Sequence, residues 1–455
     1  MRHSWQLALK NLRRNGRRNL ATAVSIALGF CGLVLIGGYA VRVERFLRTN
    51  TVYLQQTGHL SIYKEGGLER GTAQPAKYAL SAEEQQLIAT VLSARPEVEF
   101  FGRHLVGMGL AGNGCTTLPF AALGVEPGVQ ARALTHPEVL LASPELSRPV
   151  KGELMARYPA VEGAVALSAG LAELLGKTRV HDEVPAAAGP AELELPDCTT
   201  KEGRDALALD ANVQLAGLTW SGSMSAVDTE VVNVFHTPLA ETDDGTVVAS
   251  LQTLQSLYDT DAISYLSVYL KDARDAHRLR GVLEDAVRAA KVPVRVYTFD
   301  DERVGPYYAG TMPFLSSLVG FIGLLVAAVV VLSILNAMTL SILERTRELG
   351  MLRALGFNRR QVLGLCLREA ALLAILAVSV GLLLALGVAT LVNGANLRFS
   401  PPGVPGTIQF MLTPTPALCA ALAALILPLS VVAAWLAVRR TTWAAIVSLL
   451  SSHSS

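Results

Sequence analysis

The chain has 455 residues with 39 basic and 38 acidic side chains, so its formal net charge at pH 7 is only +1. This balance gives no overall field that would attract nucleic acid, and we expect no nucleic-acid partner. Hydrophobic residues make up 51% of the chain and charged residues 17%, below the roughly 25% typical of soluble proteins. The composition therefore predicts segments embedded in a membrane.

The first 42 residues predict a membrane anchor. Residues 1–19 contain six basic side chains and no acidic one. Four of their apolar residues recur at the spacing of one helix face: Trp5, Ala8, Leu9 and Leu12. This pattern predicts an amphipathic helix on the cytoplasmic membrane surface. Residues 20–41 carry no charge and can cross a bilayer, so we expect an uncleaved first transmembrane helix over 20–42.

Residues 43–310 predict an α+β domain on the far side of the membrane. The alternation in "TGHLSIYK" (57–64) favours a strand, and "SAEEQQLIATVLSAR" (81–95) begins with a serine cap and acidic residues, which favours a helix. A strand, a helix and a strand follow again near the end of the domain. We expect two subdomains, the first from both ends of this segment and the second from its middle: about 50–112 with 256–300, and about 113–255.

The five cysteines divide by predicted compartment. Cys31, Cys366 and Cys419 fall in or beside the apolar stretches, where we expect them to act as small packing residues. Cys115 and Cys198 fall in the outer domain, where an oxidising environment allows a disulfide. Sequence alone does not show that these two are close, so both a disulfide and two free thiols remain open.

Residues 166–178, "ALSAGLAELLGKT", resemble two catalytic motifs and match neither. A phosphate-binding loop requires glycine where Leu171 stands, and a nucleophile elbow around Ser168 lacks its first glycine. No spacing typical of a metal site occurs in the chain. We therefore predict a non-catalytic protein with no metal or cofactor of its own. The plain interpretation of this stretch is a strand followed by a helix with three leucines inward: Leu171, Leu174 and Leu175.

Three further apolar stretches complete a prediction of four transmembrane helices: 311–343, which continues outward as a stalk, 369–392 and 415–438. Lys and Arg concentrate on cytoplasmic flanks. The basic N-terminus, six arginines between Arg345 and Arg368, and Arg439 with Arg440 therefore predict cytoplasmic termini and a cytoplasmic loop. The remaining segments are assigned accordingly: 344–368 to that loop, 393–414 to an outer loop and 439–455 to a cytoplasmic tail.

Small residues recur every four positions in the third predicted span: Ala377, Gly381, Ala385 and Ala389. Such a stripe lets two helices approach closely, which would make it a packing face. The abundance of alanine in this stretch is an equally good explanation of the pattern.

The cytoplasmic loop opens with "ERTRELGMLRALGFNRRQV" (344–362). Three leucines share one face of a short helix with interleaved charges: Leu349, Leu352 and Leu355. Gly356 can end this helix, and Asn358 can cap the next one with Gln361 reaching back to it. A solvated hairpin is the alternative, but the apolar stripe favours a helix that docks on a partner.

This stretch closely resembles the coupling helix of MacB/FtsX-like ABC transporter permeases, the type VII or mechanotransmission type. The matching residues are Glu344, Arg347, Glu348, Leu349, Gly350, Arg353, Ala354, Leu355 and Gly356. All of these except Ala354, together with Arg345 and Leu352, are the residues that we assign to ATPase coupling. The segment "GHLSIY" is similar to the first outer strand of the lipoprotein-releasing branch, which makes that branch the closest.

The resemblance implies four transmembrane helices and a large α+β periplasmic domain between the first two. Its subdomains would be Porter-like (about 50–112 and 256–300) and Sabre-like (about 113–255). It also implies a bacterial inner-membrane location, a second permease copy or paralogue, and a dimer of separate ATPase chains that bind ATP and magnesium. Membrane lipid and a periplasmic lipoprotein, chaperone or adaptor are further expected partners.

The function that the resemblance implies is movement of a lipoprotein, lipid or other amphiphile at the periplasmic face. ATPase motion would be relayed to the outer domain without transport through a central channel. Two alternatives stay open: a MacB-like efflux permease that docks an adaptor, and an FtsX-like scaffold that controls a cell-wall hydrolase.

Overall fold

The computed structural model describes residues 16–177, 179–184, 197–203, 207, 210–344, 351, 358–400, 403 and 407–442. Most of the sequence-predicted N-terminal amphipathic helix and of the C-terminal tail lies outside these residues. The chain separates into two compact units. The first contains 1–43, 312–397 and 409–455, and the second contains 44–311 and 398–408.

Helix α1 opens the described chain (Gly16–Thr49) and continues into a π-helical turn (Asn50–Leu54). The second unit then alternates strands with short helices. Its strands are β1 (Leu60–Lys64), β2 (Val98–Gly112), β3 (Thr117–Val125), β4 (Lys151–Gly152), β5 (Ala164–Ser168), β6 (Asn212–Leu218), β7 (Met224–Phe235), β8 (Thr246–Ser250), β9 (Tyr265–Leu270) and β10 (Val294–Thr298). Its α-helices are α2 (Gly67–Arg70), α3 (Pro75–Tyr78), α4 (Ala82–Ser93), α5 (Pro127–Leu134), α6 (Pro137–Ala142), α7 (Ala169–Leu174), α8 (Leu251–Tyr258) and α9 (Ala276–Ala289).

Local sequence explains several of these elements. The predicted cap of α4 is confirmed: the Ser81 backbone N–H donates to Glu84 Oε2 at 2.8 Å, and the Glu84 N–H donates to Ser81 Oγ at 3.3 Å. Helix α9 buries one stripe of apolar residues against the core: Ala276, Leu279, Leu283 and Val287. Every residue of β9 is buried, as expected of a central strand covered on both faces.

The strands form an open sheet joined to a closed ring. In the open part the order is β10-β1-β9-β2, with all neighbours antiparallel. The second half of β2 continues into the ring β2-β3-β8-β5-β7-β6, which closes because β6 pairs with both β7 and β2. Strand β2 has 15 residues and belongs to both parts.

The subdomain boundaries differ in one respect from those expected from sequence. The position 112/113 coincides with the end of β2, but position 255/256 lies inside α8. Helix α8 packs against β2, β3, β6, β7 and β8, so it belongs with the ring of strands. The sequence pattern of α8 is that of any amphipathic helix and does not reveal which sheet it covers.

Two histidines of the second unit, His59 and His104, are buried in its interior. His104 shares a hydrogen bond of 2.7 Å with Ser267 Oγ through its Nε2, and His59 Nδ1 accepts the Leu270 backbone N–H at 3.0 Å. The pKa of both imidazoles is lowered to about 3. Burial is the main cause for both, and the nearby Arg48 is a second cause for His59. Both are therefore neutral structural groups at ordinary pH.

The first unit is helical. Besides the first part of α1 it contains most of α10 (Pro306–Glu344), then α11 (Arg359–Gly394) and α12 (Pro416–Thr442). Two short strands, β11 (Arg398–Phe399) and β12 (Ile408–Gln409), pair between α11 and α12. Within the described residues, four helices are long and apolar enough to cross a membrane. The predicted fold class, four membrane helices with a large α+β domain, is confirmed.

The helices pack around a shared apolar core. Its fully buried members come from all four helices and include Ile26, Phe30, Val330, Ile334, Ala377, Ala385, Ile426 and Ala434. Helix α10 contributes only one narrow stripe, in which Val330, Ile334, Met338 and Ile342 are buried. Much of its remaining apolar surface is exposed, which suits contact with lipid or with another transmembrane helix.

Candidate functional site at the 344–368 segment

The sequence-predicted coupling segment begins where α10 ends, at Glu344. Of the residues assigned to coupling, only Glu344 belongs to the described part of the chain. The others lie outside the described residues: Arg345, Arg347, Glu348, Leu349, Gly350, Leu352, Arg353, Leu355 and Gly356. Met351, which lies between them, is described and its side chain is 55% exposed.

The return of the chain into α11 has the predicted cap. The Asn358 backbone N–H donates to Gln361 Oε1 at 2.9 Å, and the Gln361 backbone N–H donates to the Asn358 carbonyl at 2.9 Å. This reciprocal pair satisfies backbone donors that the first turn of a helix leaves without partners. The start of α11 is therefore set by the two residues that the sequence indicated.

The helix ends on either side of this segment lie together. Ile342 near the end of α10, Cys366 near the start of α11 and Val438 near the end of α12 form one buried cluster, with Leu363 against it. The segment thus connects two helix ends that are already held at the same end of the bundle. Basic residues also gather there: Arg360 is exposed, and the Arg439 guanidinium lies 5.1 Å from the Trp435 ring centroid.

The opposite end of the bundle is held by polar contacts. Asn393 on α11 donates to the Leu412 carbonyl at 3.0 Å and accepts the Leu412 N–H at 2.9 Å. Thr413 donates to the carbonyl of Gly38 on α1 at 3.1 Å. Tyr39 stacks on Phe410 with ring centroids 5.4 Å apart. These contacts join α1 and α11 to the segment just before α12, so both ends of the bundle have defined packing.

The small residues of α11 lie in the helix interface. Ala377, Ala385 and Ala389 are each at most 3% exposed. A Cβ atom added at Gly381 would lie 2.5 Å from the carbonyl oxygen of Ala27 on α1. The structure therefore places this stripe against another helix of the same chain. Its predicted role in assembly with a second chain stays a prediction.

The cysteines occupy two environments in the structure. Cys31 and Cys366 are buried, and Cys419 packs against the helical core. Cys115 and Cys198 are joined by a disulfide with their Cα atoms 5.5 Å apart, which is ordinary disulfide geometry. Of the two outcomes left open by the sequence, the structure therefore contains the bridged form.

The motif-like stretch 166–178 has a structural role. Ser168 is buried and its Oγ accepts the Thr246 backbone N–H at 3.1 Å. The Lys177 ammonium is buried against Asp210 and donates to the Leu207 carbonyl at 2.8 Å. Neither side chain is arranged for catalysis. Among the described residues, no group of three or more His, Cys, Asp or Glu side chains could hold a metal ion.

One detail of the same stretch corrects the sequence interpretation. Leu171 and Leu175 are buried as expected, but Leu174 is 54% exposed. Helix α7 is short, and its third buried residue is Ala172. Ala172 shifts the centre of the buried face by about half a residue, or about 50° of helix rotation, away from Leu174.

Residues 320–446 match the family described as FtsX-like permease C-terminal. The match includes the whole of the 344–356 stretch. An uncharacterized ABC transporter permease of Methanocaldococcus jannaschii, MJ1507, is 25% identical over 160 residues, 33% of this chain and 38% of that protein. The macrolide export ATP-binding/permease protein MacB of Bordetella avium is 31% identical over 100 residues, 22% of this chain and 15% of MacB. Residues 320–446 therefore form an FtsX-like permease domain, and the chain is similar to MacB-type ABC permeases over part of its length.

The resemblance seen in the sequence is thereby confirmed. The chain spans less than half the length of these curated relatives. Among solved structures, the extracellular domain of the noncanonic ABC-type transporter YknZ from Gram-positive bacteria aligns with 52% of this permease and 99% of that domain. The sequence identity is 15% and the TM-score 0.31.

Proposed function

We propose that this permease is the membrane subunit of an ATP-driven transporter in the bacterial inner membrane. A separate ATPase dimer, which binds ATP and magnesium, docks on the 344–368 segment, and a second permease copy or paralogue completes the complex. The 43–310 domain then moves a lipoprotein, lipid or other amphiphile at the periplasmic face. The observation that carries the proposal is the family match over 320–446, which includes the coupling motif.

The described residues around this segment support the docking role. The cluster of Ile342, Cys366 and Val438 holds the two helix ends together, and the cap of Asn358 and Gln361 defines where α11 begins. A helix between two such fixed points can transmit a displacement into both α10 and α11. Its apolar leucine stripe offers the buried contact that docking requires.

An exposed apolar surface supports an amphiphilic cargo. Five large apolar side chains point outward from the ring of strands in the second unit: Val106, Met108, Leu110, Leu218 and Met224. Their exposed fractions range from 40% for Val106 to 70% for Met224. Large apolar residues grouped on an otherwise soluble surface usually mark a contact site.

The docking role is tested by two neighbouring substitutions. Leu352→Asp introduces a charge on the leucine stripe, and Thr346→Asp introduces the same charge about 120° of helix rotation away from Leu352. Burying an unpaired carboxylate costs several kcal/mol, about 3 or more, so Leu352→Asp should abolish co-purification of the ATPase or its coupled ATP hydrolysis. Thr346→Asp should leave both near the level of the unsubstituted permease.

The proposal also makes a graded claim. Glu348→Lys reverses a charge at the rim of the contact, where an ion pair contributes about 0–1 kcal/mol, so its effect should be the weaker one. Membrane insertion should be normal in all three variants because each change lies outside the apolar helices. If Leu352→Asp retains ATPase binding and coupled hydrolysis, the segment is not the docking element and its arginines only fix topology.

A further inference from the structure

A partly open cleft lies on the second unit beside α2 and α3. It has a volume of about 200 Å³. Its lining residues are Tyr63, Gly67, Leu68, Gly71, Thr72, Pro75, Tyr78, Ala79, Val106 and Ser264. A cavity of about 150 Å³ holds a benzene ring, whereas drug-sized ligands occupy about 300 Å³ or more. The cleft is thus sized for one ring or one branched apolar group.

The Tyr78 hydroxyl is an oriented donor without an acceptor among the described residues. Tyr78 is only 9% exposed, and Arg70 Nη1 donates to its Oη at 3.2 Å. The arginine occupies one lone pair of the oxygen, so the hydroxyl proton remains available to a ligand. The same hydrogen bond lowers the pKa of Tyr78, which makes the hydroxyl a better donor. Ser264 has the same arrangement, because its Oγ accepts the Val106 N–H at 2.9 Å.

Positive charge stands beside Tyr78, and among the described residues no carboxylate forms an ion pair with it. The Lys77 ammonium lies 5.1 Å from the Tyr78 ring centroid, and Arg70 contacts the hydroxyl. Glu69, the acidic neighbour of Arg70, is turned to other partners: it pairs with Arg303 at 3.3 Å and accepts the Tyr297 hydroxyl at 3.3 Å. None of the ten lining residues is acidic, and no described carboxylate lies within ion-pair distance of Arg70 or Lys77.

We propose that this cleft binds a small anionic ligand, a carboxylate attached to an aromatic or branched apolar group. The apolar group would occupy the space between Tyr63, Leu68 and Val106, and the carboxylate would accept the Tyr78 hydroxyl proton beside Arg70 and Lys77. None of the lining residues belongs to the 344–368 segment, so this proposal does not depend on ATPase docking. A free metabolite and an acidic peptide terminus share this chemistry.

The direct test measures binding of N-acetyl-L-phenylalanine to the full chain in detergent by saturation-transfer NMR. Its uncharged analogue, N-acetyl-L-phenylalaninamide, has the same ring and serves as the matched probe. We expect saturable binding of the carboxylate with a dissociation constant on the order of 1 mM, and binding of the amide about tenfold weaker. A C-terminal Phe tripeptide that binds tighter than the single residue would identify a peptide terminus as the source.

Three variants assign the binding to the cleft. Arg70→Gln removes the exposed cation and should weaken binding of the carboxylate about tenfold, since hydrogen bonds to charged groups are the stronger kind. Tyr78→Phe keeps the ring and removes only the hydroxyl, and it should weaken binding about threefold to tenfold. Arg157→Gln, which removes an exposed arginine elsewhere on the same unit, should have no effect.

The outcomes separate cleanly because all variants share the same detergent and hence the same partitioning of the probe. The proposal is overturned if N-acetyl-L-phenylalanine shows no saturable binding, or if the amide binds as well as the carboxylate. Equal affinities in Arg70→Gln, Tyr78→Phe and the unsubstituted permease would also overturn it.

Discussion

At Gly381 the backbone of α11 lies directly against that of α1. A Cβ atom there would lie 2.5 Å from the Ala27 carbonyl oxygen and 3.1 Å from its Cα atom. Both are backbone atoms, so no side-chain rotation relieves the overlap. Only glycine allows the helices to remain at this distance.

The expected consequence is a loss of stability in Gly381→Leu. Overpacking of this kind costs about 1–3 kcal/mol, and the backbone contact favours the upper part of that range. Gly387 on the same helix is the matched control, because a Cβ atom there would meet nothing within 4 Å. Thermal unfolding of the purified protein should show a lower midpoint temperature for Gly381→Leu. Gly387→Leu should not lower the midpoint, because leucine has the higher helix propensity and its side chain meets no neighbour there.

Equal midpoints for the two variants would mean that α11 and α1 are not packed at Gly381.

The sequence alone indicated the four-residue repeat but not its partner helix, because alanine and glycine recur throughout this stretch. Gly107 shows the same limit: a Cβ atom there would lie 2.3 Å from the Tyr258 ring. That contact joins residues 151 positions apart, and no local pattern announces it.

At the scale of elements, the disulfide stabilises the turn between β2 and β3. Asn113 Oδ1 accepts the N–H groups of Cys115 and Thr116 at 2.9 and 2.7 Å, which shapes the turn. The bridge to Cys198 spans 83 residues of sequence. Closing a loop of this length removes unfolded-chain entropy worth about 4.5 kcal/mol in the simplest treatment.

Thiol counting by mass spectrometry tests the bridge. Alkylation of the denatured, unreduced protein should modify the three helix cysteines, Cys31, Cys366 and Cys419, and should leave Cys115 and Cys198 unmodified. All five should react after reduction. Modification of Cys115 and Cys198 without reduction would show that the disulfide is absent. It would also remove the support for folding of this domain in an oxidising compartment.

Elements with a local signal were predictable, and those that depend on distant pairing were not. The cap of α4 and the cap of α11 follow from residues three positions apart, so sequence found both. The closed ring of strands depends on β6 pairing with β2, more than 100 residues earlier in the chain. The exposed Leu174 was mispredicted because a helix of six residues is too short for periodicity to define its buried face.

The basic residues at one end of the helical bundle predict the orientation of the chain in the membrane. The end of the helical bundle that carries Arg360 and Arg439 should face the cytoplasm, and the 43–310 domain should face the periplasm. Two single cysteines test this arrangement: Gln86→Cys on the exposed face of α4, and Arg360→Cys at the start of α11.

In intact cells, a membrane-impermeant maleimide should label Gln86→Cys and not Arg360→Cys, while both should react after the membrane is opened. The unsubstituted permease supplies the background from its native cysteines. Labelling of Arg360→Cys from outside, or equal labelling at both sites, would reverse or refute the orientation.

At this scale the sequence predicted the fold class because four apolar stretches and a long polar insertion are signals of composition. The cleft beside Tyr78 was missed for the opposite reason. It is assembled from β1, β2, the α2–α3 segment and Ser264, and Arg70 and Lys77 look like ordinary surface charges until their carboxylate neighbours are seen to point elsewhere.

The closed ring of strands has a consequence for how partners can recognise the outer domain. Each of its six strands is paired on both sides over part of its length, so the ring offers no long free edge to which a foreign strand could be added. Side chains of α9 occupy backbone groups of the edge strand β10. The Val296 N–H donates to Glu284 Oε2 at 3.3 Å, and the Val296 carbonyl accepts a hydrogen bond from Arg280 Nε at 3.0 Å. Recognition by β-augmentation is therefore disfavoured in the described strands, and a partner must read side chains such as Met108 and Met224 instead.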